Sequence, residues 1–151
     1  METIKVYIVR ESDGTYSSYM DDKNNLPYGL VGEGSTVAEA IDEWNMAYND
    51  MRKLFVEEGR EFVEARFSFA YDVPSFLLYY AGKLTYAGLA KLTGVSAAQL
   101  SQYANGYRNP SPKTTAKIQT ALHDFGQELS QLQLIWFEQY DFLDEALAGY
   151  A

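Results

Sequence analysis

The residues with the clearest chemical purpose lie between Thr85 and Pro110, in the run TYAGLAKLTGVSAAQLSQYANGYRNP. Their spacing reads as helix, tight turn, helix and basic loop, the arrangement that lets a small domain push one helix into a DNA major groove. Leu89, Ala90 and Leu92 give the first helix an apolar face, and small Ala90 lets a second helix cross closely. Gly94 ends that helix, because glycine takes the left-handed conformation at little steric cost. Ser96 caps the next helix, with Gln99 completing a capping box. Val95 and Leu100 tie turn and helix into a core, and Asn105-Gly106 stops the helix. Arg108 then stands where a phosphate backbone would run. A structural helix pair would need the same caps, but packing alone does not call for the Gly-Tyr-Arg-Asn-Pro-Ser loop.

Other constellations offer less. Gly32-x-Gly34-x-Thr36 has the outline of an anion-binding turn at a helix start, yet it lacks the lysine of a P-loop and the longer dinucleotide fingerprint. A turn plus a cap accounts for it. Metal-dependent nuclease chemistry needs carboxylates that converge. Asp21-Asp22, Glu57-Glu58 and Glu64 instead fall in a loop, at a helix end and on a strand, and read as solvated surface or a face for a basic partner. His123 is the single histidine and there is no cysteine, so neither a zinc site nor a thiolate nucleophile is assembled. The chain reads as a non-enzyme without metal or cofactor.

Charge supports the same division. The net charge of −9 is unevenly spread. Residues 1–75 carry seven Lys/Arg against fifteen Asp/Glu, giving −8; residues 76–129 carry five against two, giving +3; and residues 130–151 carry four acids, giving −4. The one basic block coincides with the helix pair, as electrostatic steering toward DNA requires. So small a positive charge implies a homodimer or higher oligomer. No apolar run suits a membrane span or a signal peptide, so a cytoplasmic location is expected.

These residues must be positioned by two small domains, one over residues 1–72 and one over residues 73–151. Ile4, Val6 and Ile8 alternate with Lys5, Tyr7 and Val9 in a strand over residues 3–10. Asp13-Gly14 is a hairpin turn, Thr15 to Met20 a second strand, Asp21 to Pro27 a loop and Tyr28 to Val31 a third strand. A long helix follows, capped by Thr36 with Glu39 at the reciprocal position. Val37, Ile41, Trp44, Tyr48, Met51 and Phe55 form its apolar stripe, and Gly59 ends it. Val63, Ala65, Phe67 and Phe69 mark a fourth strand, broken at Asp72-Val73-Pro74. The fold class is α+β: a β-β-β-α-β sheet domain, then an all-α helix-turn-helix domain with a C-terminal helical extension. That extension rests on the stripe Ile118, Leu122, Phe125, Leu129, Leu132, Trp136, Tyr140, Leu143 and Leu147. The stripe either packs on the N-terminal domain or self-associates, and a two-fold axis would also supply paired half-sites.

Phe76 to Leu129 resembles the lambda-repressor-type (Cro, XRE) helix-turn-helix family at Leu89-Ala90, Gly94-Val95-Ser96, Leu100 and Gly106-Tyr107-Arg108-Asn109-Pro110-Ser111. The resemblance implies that Ala97, Ala98, Ser101 and Gln102 face the bases. Gln102 can bond an adenine edge, and the alanines can touch thymine methyls. It places Thr85, Tyr86, Asn105, Arg108 and Lys113 at phosphates. The N-terminal half resembles the HicB antitoxin domain, a truncated RNase-H-like fold, through Gly14-Thr15-Tyr16 and Gly34-Ser35-Thr36-Val37-Ala38-Glu39-Ala40. The loop Asp21 to Pro27 departs from that family's Pro-rich loop. The two resemblances together imply an antitoxin that neutralises a small basic, mRNA-cleaving HicA-like toxin and represses its own operon at a double-stranded DNA operator. Tyr16, Tyr19 and Tyr28 are the toxin-binding candidates; alternatively they cover the open sheet face. The competing function is a stand-alone transcription regulator whose N-terminal domain senses a ligand or mediates oligomerisation.

Overall fold

The computed structural model describes residues 1–136. The sheet strands are β1 (Glu2–Arg10), β2 (Tyr16–Met20), β3 (Val31–Gly34) and β4 (Ala65–Tyr71), with α1 (Val37–Glu57) between the last two. Helices α2 (Val73–Tyr79), α3 (Tyr86–Thr93), α4 (Ala97–Ala104) and α5 (Pro112–Gln131) follow. The sheet order is β3-β2-β1-β4; β1 runs antiparallel to β2 and parallel to β4.

Period-two alternation puts Ile4, Val6 and Ile8 on one sheet face, and register places Tyr16, Ser18, Phe67 and Phe69 beside them. The stripe of α1 closes on this face, burying Val37, Ala40, Trp44 and Phe55. Aromatic edges finish the packing: the Trp44 and Phe67 rings meet edge-on at 5.3 Å, and Tyr48 meets Phe67 at 5.0 Å. Trp44 has no exposed surface, so its truncation removes an anchor whose loss costs about 3–5 kcal/mol in typical cores.

Three local expectations change. The third strand is Val31–Gly34 rather than Tyr28 to Val31. Gly32 and Gly34 are strand residues, and α1 lies against them. A Cβ on Gly32 would sit 2.5 Å from Ser18 Oγ and 2.6 Å from the Ala40 carbonyl oxygen, while one on Gly34 would collide with Glu39 Cβ. The Ser18 hydroxyl donates to that same carbonyl at 3.0 Å, so helix and sheet meet backbone to backbone. Thr36 does cap α1, accepting from the Glu39 N–H at 3.1 Å, and the Glu39 carboxylate accepts chiefly from the Ser35 N–H and hydroxyl, with a weaker contribution from the Thr36 backbone. The Ser35 hydroxyl and N–H hold that carboxyl below its usual range.

The presumed break at Asp72-Val73-Pro74 is the start of α2. Asp72 caps it through Oδ1, which accepts from the Ser75 N–H at 2.9 Å, and Oδ2 accepts from the Arg10 N–H at 2.9 Å. One carboxylate thereby joins the end of β1 to the first helix of the second unit. Val73 and Leu77 of α2 then enter a second core with Leu89, Val95, Leu100, Tyr103, Ala104 and Ile118. The chain passes from β4 into this unit without a linker.

The continuous C-terminal stripe is also corrected. Ile118 is the only buried residue of α5, and the helix stops at Gln131, where Leu132 turns extended. Leu129, Leu132, Leu134 and Ile135 are exposed. Helical stability comes mainly from packing an apolar face, and beyond Leu122 the second core no longer reaches α5. Tyr140, Leu143 and Leu147 lie outside the described residues. Among the described residues no helix is long and apolar enough to cross a membrane.

Candidate nucleic-acid interface

Helices α3 and α4 are set against each other by side chains within the turn. Thr85 caps α3, its Oγ1 accepting from the Gly88 N–H at 3.0 Å. Gly94 ends the helix in the left-handed region, at φ 75°. Buried Thr93 then fixes the turn: its hydroxyl donates to the Leu89 carbonyl at 2.7 Å and accepts from the Val95 N–H at 3.1 Å. Ser96 caps α4 by accepting from the Gln99 N–H at 3.1 Å, and donates to Gln99 Oε1 at 3.3 Å. A third cap, Ser111 on the Thr114 N–H at 3.1 Å, starts α5.

The caps fix which face of α4 points outward. Leu100, Tyr103 and Ala104 are buried in the second core. On the opposite side Ala97, Ala98 and Gln102 are exposed and Ser101 is half-buried. Steps of three and four make these four residues one contiguous strip, so the proposed base-facing residues share a single surface. The strip offers two methyl groups, one hydroxyl and one amide, and no charge.

The expected phosphate contacts differ in exposure. Thr85, Asn105, Arg108 and Lys113 are exposed. Thr85 uses its oxygen as a cap acceptor, which leaves its hydroxyl proton to donate. Tyr86 is half-buried and packs against the second core, so only its outer part is presented. Arg108 makes no ion pair with any described residue. Two residues escaped the sequence reading. Tyr107 is 85% exposed beside Arg108, a large aromatic with no packing reason to face solvent. Arg10, from the other domain, lies against Gly106; nothing local in the sequence signals that contact.

The tyrosines proposed for toxin binding do not form one surface. Tyr16 is 4% and Tyr28 8% exposed, while Tyr19 is 43% exposed. Tyr16 and Tyr19 stand three residues apart on β2, an odd step that puts them on opposite faces. Tyr28 donates to the Val63 carbonyl and stacks on Phe62 at 5.1 Å; burial pushes its phenol up to about 12. Tyr16 and Tyr28 are thus core residues. Tyr19 stays outside, its ring 5.4 Å from that of Tyr7 on the face away from α1, and Val31 pairs with it there. The tyrosine pair and Val31 form an apolar strip on the open face, next to Glu33 and Asp21.

The acidic pairs are likewise dispersed. Asp21 accepts from the Lys23 N–H and the Tyr7 hydroxyl, which hold its carboxyl below the usual range. Glu58 pairs with Arg60 at 2.8 Å, and Glu64 with Arg52 at 3.3 Å. Among the described residues no three His, Asp or Glu side chains gather as metal ligands would.

The family model described as Helix-turn-helix matches residues 81–123, which takes in α3, α4 and the first part of α5. Comparison with curated proteins and with solved structures returned no match. Residues 81–123 therefore carry a helix-turn-helix, as the spacing of caps and apolar positions led one to expect.

Proposed function

We propose that this protein is a DNA-binding transcription regulator that seats α4 in the major groove. The observation that carries the reading is the exposed Ala97-Ala98-Ser101-Gln102 strip, held outward by the capped turn and lying inside the matched helix-turn-helix. With two alanines at its start, the strip reads bases sparsely. Gln102 supplies the directional hydrogen bonds, and Arg108, Lys113, Thr85, Tyr86 and Asn105 supply backbone contacts. Pairing of two copies provides the half-site spacing such helices use. The reading assigns no catalytic residue and no cofactor. Selection of duplexes from a random pool by the full chain tests it: an enriched motif with salt-dependent affinity supports the reading, and no enrichment overturns it.

The finer role is that of an antitoxin repressing its own operon. Two observations support it: the N-terminal domain has the β-β-β-α-β order that the HicB resemblance implies, and residues 1–75 carry fifteen of the protein's twenty-one acidic residues. The acid-rich N-terminal domain suits a small basic partner, chiefly by speeding encounter and filtering partners. Asp21 and Glu33 lie beside Tyr7, Tyr19 and Val31, among the lysines Lys5 and Lys23. Co-expression with the neighbouring small gene, followed by pull-down, separates this role from a stand-alone regulator. A co-purifying basic protein whose growth inhibition is relieved supports the antitoxin. Absence of any such partner leaves the regulator alone.

A further inference from the structure

The helix-turn-helix reaches its closing loop through Asn105 and Gly106, and that loop is touched by the N-terminal domain. Gly106 adopts φ 75°; a Cβ there would lie 2.5 Å from Arg10 Nη1 and 3.0 Å from its Cζ. The same guanidinium lies 3.4 Å from where a Cβ of Gly14 would stand. Arg10 thus spans from the β1–β2 turn to the residue that ends α4, two positions before Arg108.

The Arg10 main chain is fixed, since its N–H donates to Asp72 Oδ2. Its guanidinium is not consumed. Nη1 donates to the Glu11 carbonyl at 3.4 Å, a long bond; the guanidinium also hydrogen-bonds the Tyr16 hydroxyl and lies near the Asp13 carboxylate, but no described carboxylate forms an ion pair with it. A guanidinium has five N–H donors, so several remain for an external acceptor. Arg10 lines an open groove with Glu11, Ser12, Gly106, Asn109 and Thr115. Asp72, on the same wall, has both oxygens engaged by N–H groups, and Asp13 is turned onto the Thr15 N–H and hydroxyl. Beside the DNA-reading loop the groove thus presents a guanidinium with donors to spare, a planar fork suited to a phosphate diester, together with the Glu11 and Asp72 carboxylates.

We infer that Arg10 is a DNA-backbone contact supplied by the N-terminal domain, so that the β1–β2 hairpin and the Asn105–Arg108 loop hold the same phosphate strand. The inference rests on the DNA-binding reading and extends the interface beyond the matched helix-turn-helix. It also gives the α+β domain a direct part in affinity, apart from any partner it binds.

The test uses the full chain, duplexes selected by the wild-type protein and random-sequence duplexes, with affinity measured across a salt series. Arg10→Gln is expected to weaken binding to both duplex types alike and to flatten the slope of log K against log salt by about one. Arg10→Lys is expected to keep the slope, and circular dichroism of each variant checks the fold. Arg108→Ala serves as the comparison, with a similar loss. Arg10→Gln keeping the wild-type slope, whether affinity falls or not, overturns the inference while Arg108→Ala still loses its unit. A wild-type protein with no salt-dependent binding overturns the DNA reading itself.

Discussion

Gly32→Ala isolates the contact that holds α1 on the sheet. The new Cβ would stand 2.5 Å from Ser18 Oγ, 2.6 Å from the Ala40 carbonyl oxygen and 2.9 Å from the Trp44 nitrogen. Two of these three neighbours are helix backbone, so rotation of a side chain cannot relieve the crowding. The helix must lift by a few tenths of an ångström, and overpacking of this kind costs about 1–3 kcal/mol. Lifting also lengthens the Ser18–Ala40 bond, whose loss adds about 0.5–1.5 kcal/mol. Reduced freedom of the unfolded chain returns about 0.4–1 kcal/mol. The net expectation is a destabilisation of about 0.5–4 kcal/mol. Gly29→Ala is the matched control, since nothing lies within 4 Å of a Cβ there, and only the unfolded-state term, a stabilisation of about 0.4–1 kcal/mol, is expected. Urea unfolding followed by Trp44 fluorescence, in a Trp136→Phe background, reads the difference as a lower midpoint at unchanged slope. Equal midpoints for the two alanine variants would refute the reasoning and return Gly32-x-Gly34 to the status of an open turn.

Three further outcomes are expected. Gln102→Ala should cost about 1–3 kcal/mol of binding at one or two base positions only; a uniform loss across a library of operator variants would remove Gln102 from base reading. Leu129→Glu with Leu132→Glu should lower the sedimenting mass if the exposed end of α5 joins two copies, while an unchanged mass would locate self-association elsewhere. Burial raises the phenols of Tyr28 and Tyr71 from 10.0 to about 12. A group whose folded pKa is raised contributes stability that is complete below its unfolded value and is lost as pH rises to the folded one. Stability should therefore fall between pH 10.0 and about 12, with less of that fall in Tyr28→Phe; an identical alkaline profile for that variant would contradict the burial of Tyr28.

What the sequence determined alone is the chemistry that closes within a few residues. Thr36, Ser96, Gly94 and Gly106 each act on a backbone group one to four positions away, so helix starts and stops around the recognition helix were legible, and with them its outward face. Apolar spacing likewise marked Ile4, Val6 and Ile8, and the Trp44 stripe. Ambiguity began where one residue serves two local purposes: Asp72 with Pro74 reads equally as a strand break and as a helix cap, and the backbone became a helix because Val73 and Leu77 had a core to fill. Gly32 and Gly34 carried no visible signal for a strand, since their role is to leave room for a helix that closes from across the sheet. Tyr16, Tyr19 and Tyr28 looked alike in one dimension; register and burial separated them into two core residues and one surface residue. The Arg10–Gly106 contact was invisible for the same reason. A cap is decided by bonds and torsions along the chain, whereas a contact between distant segments exists only after two cores have packed and set the distance between them.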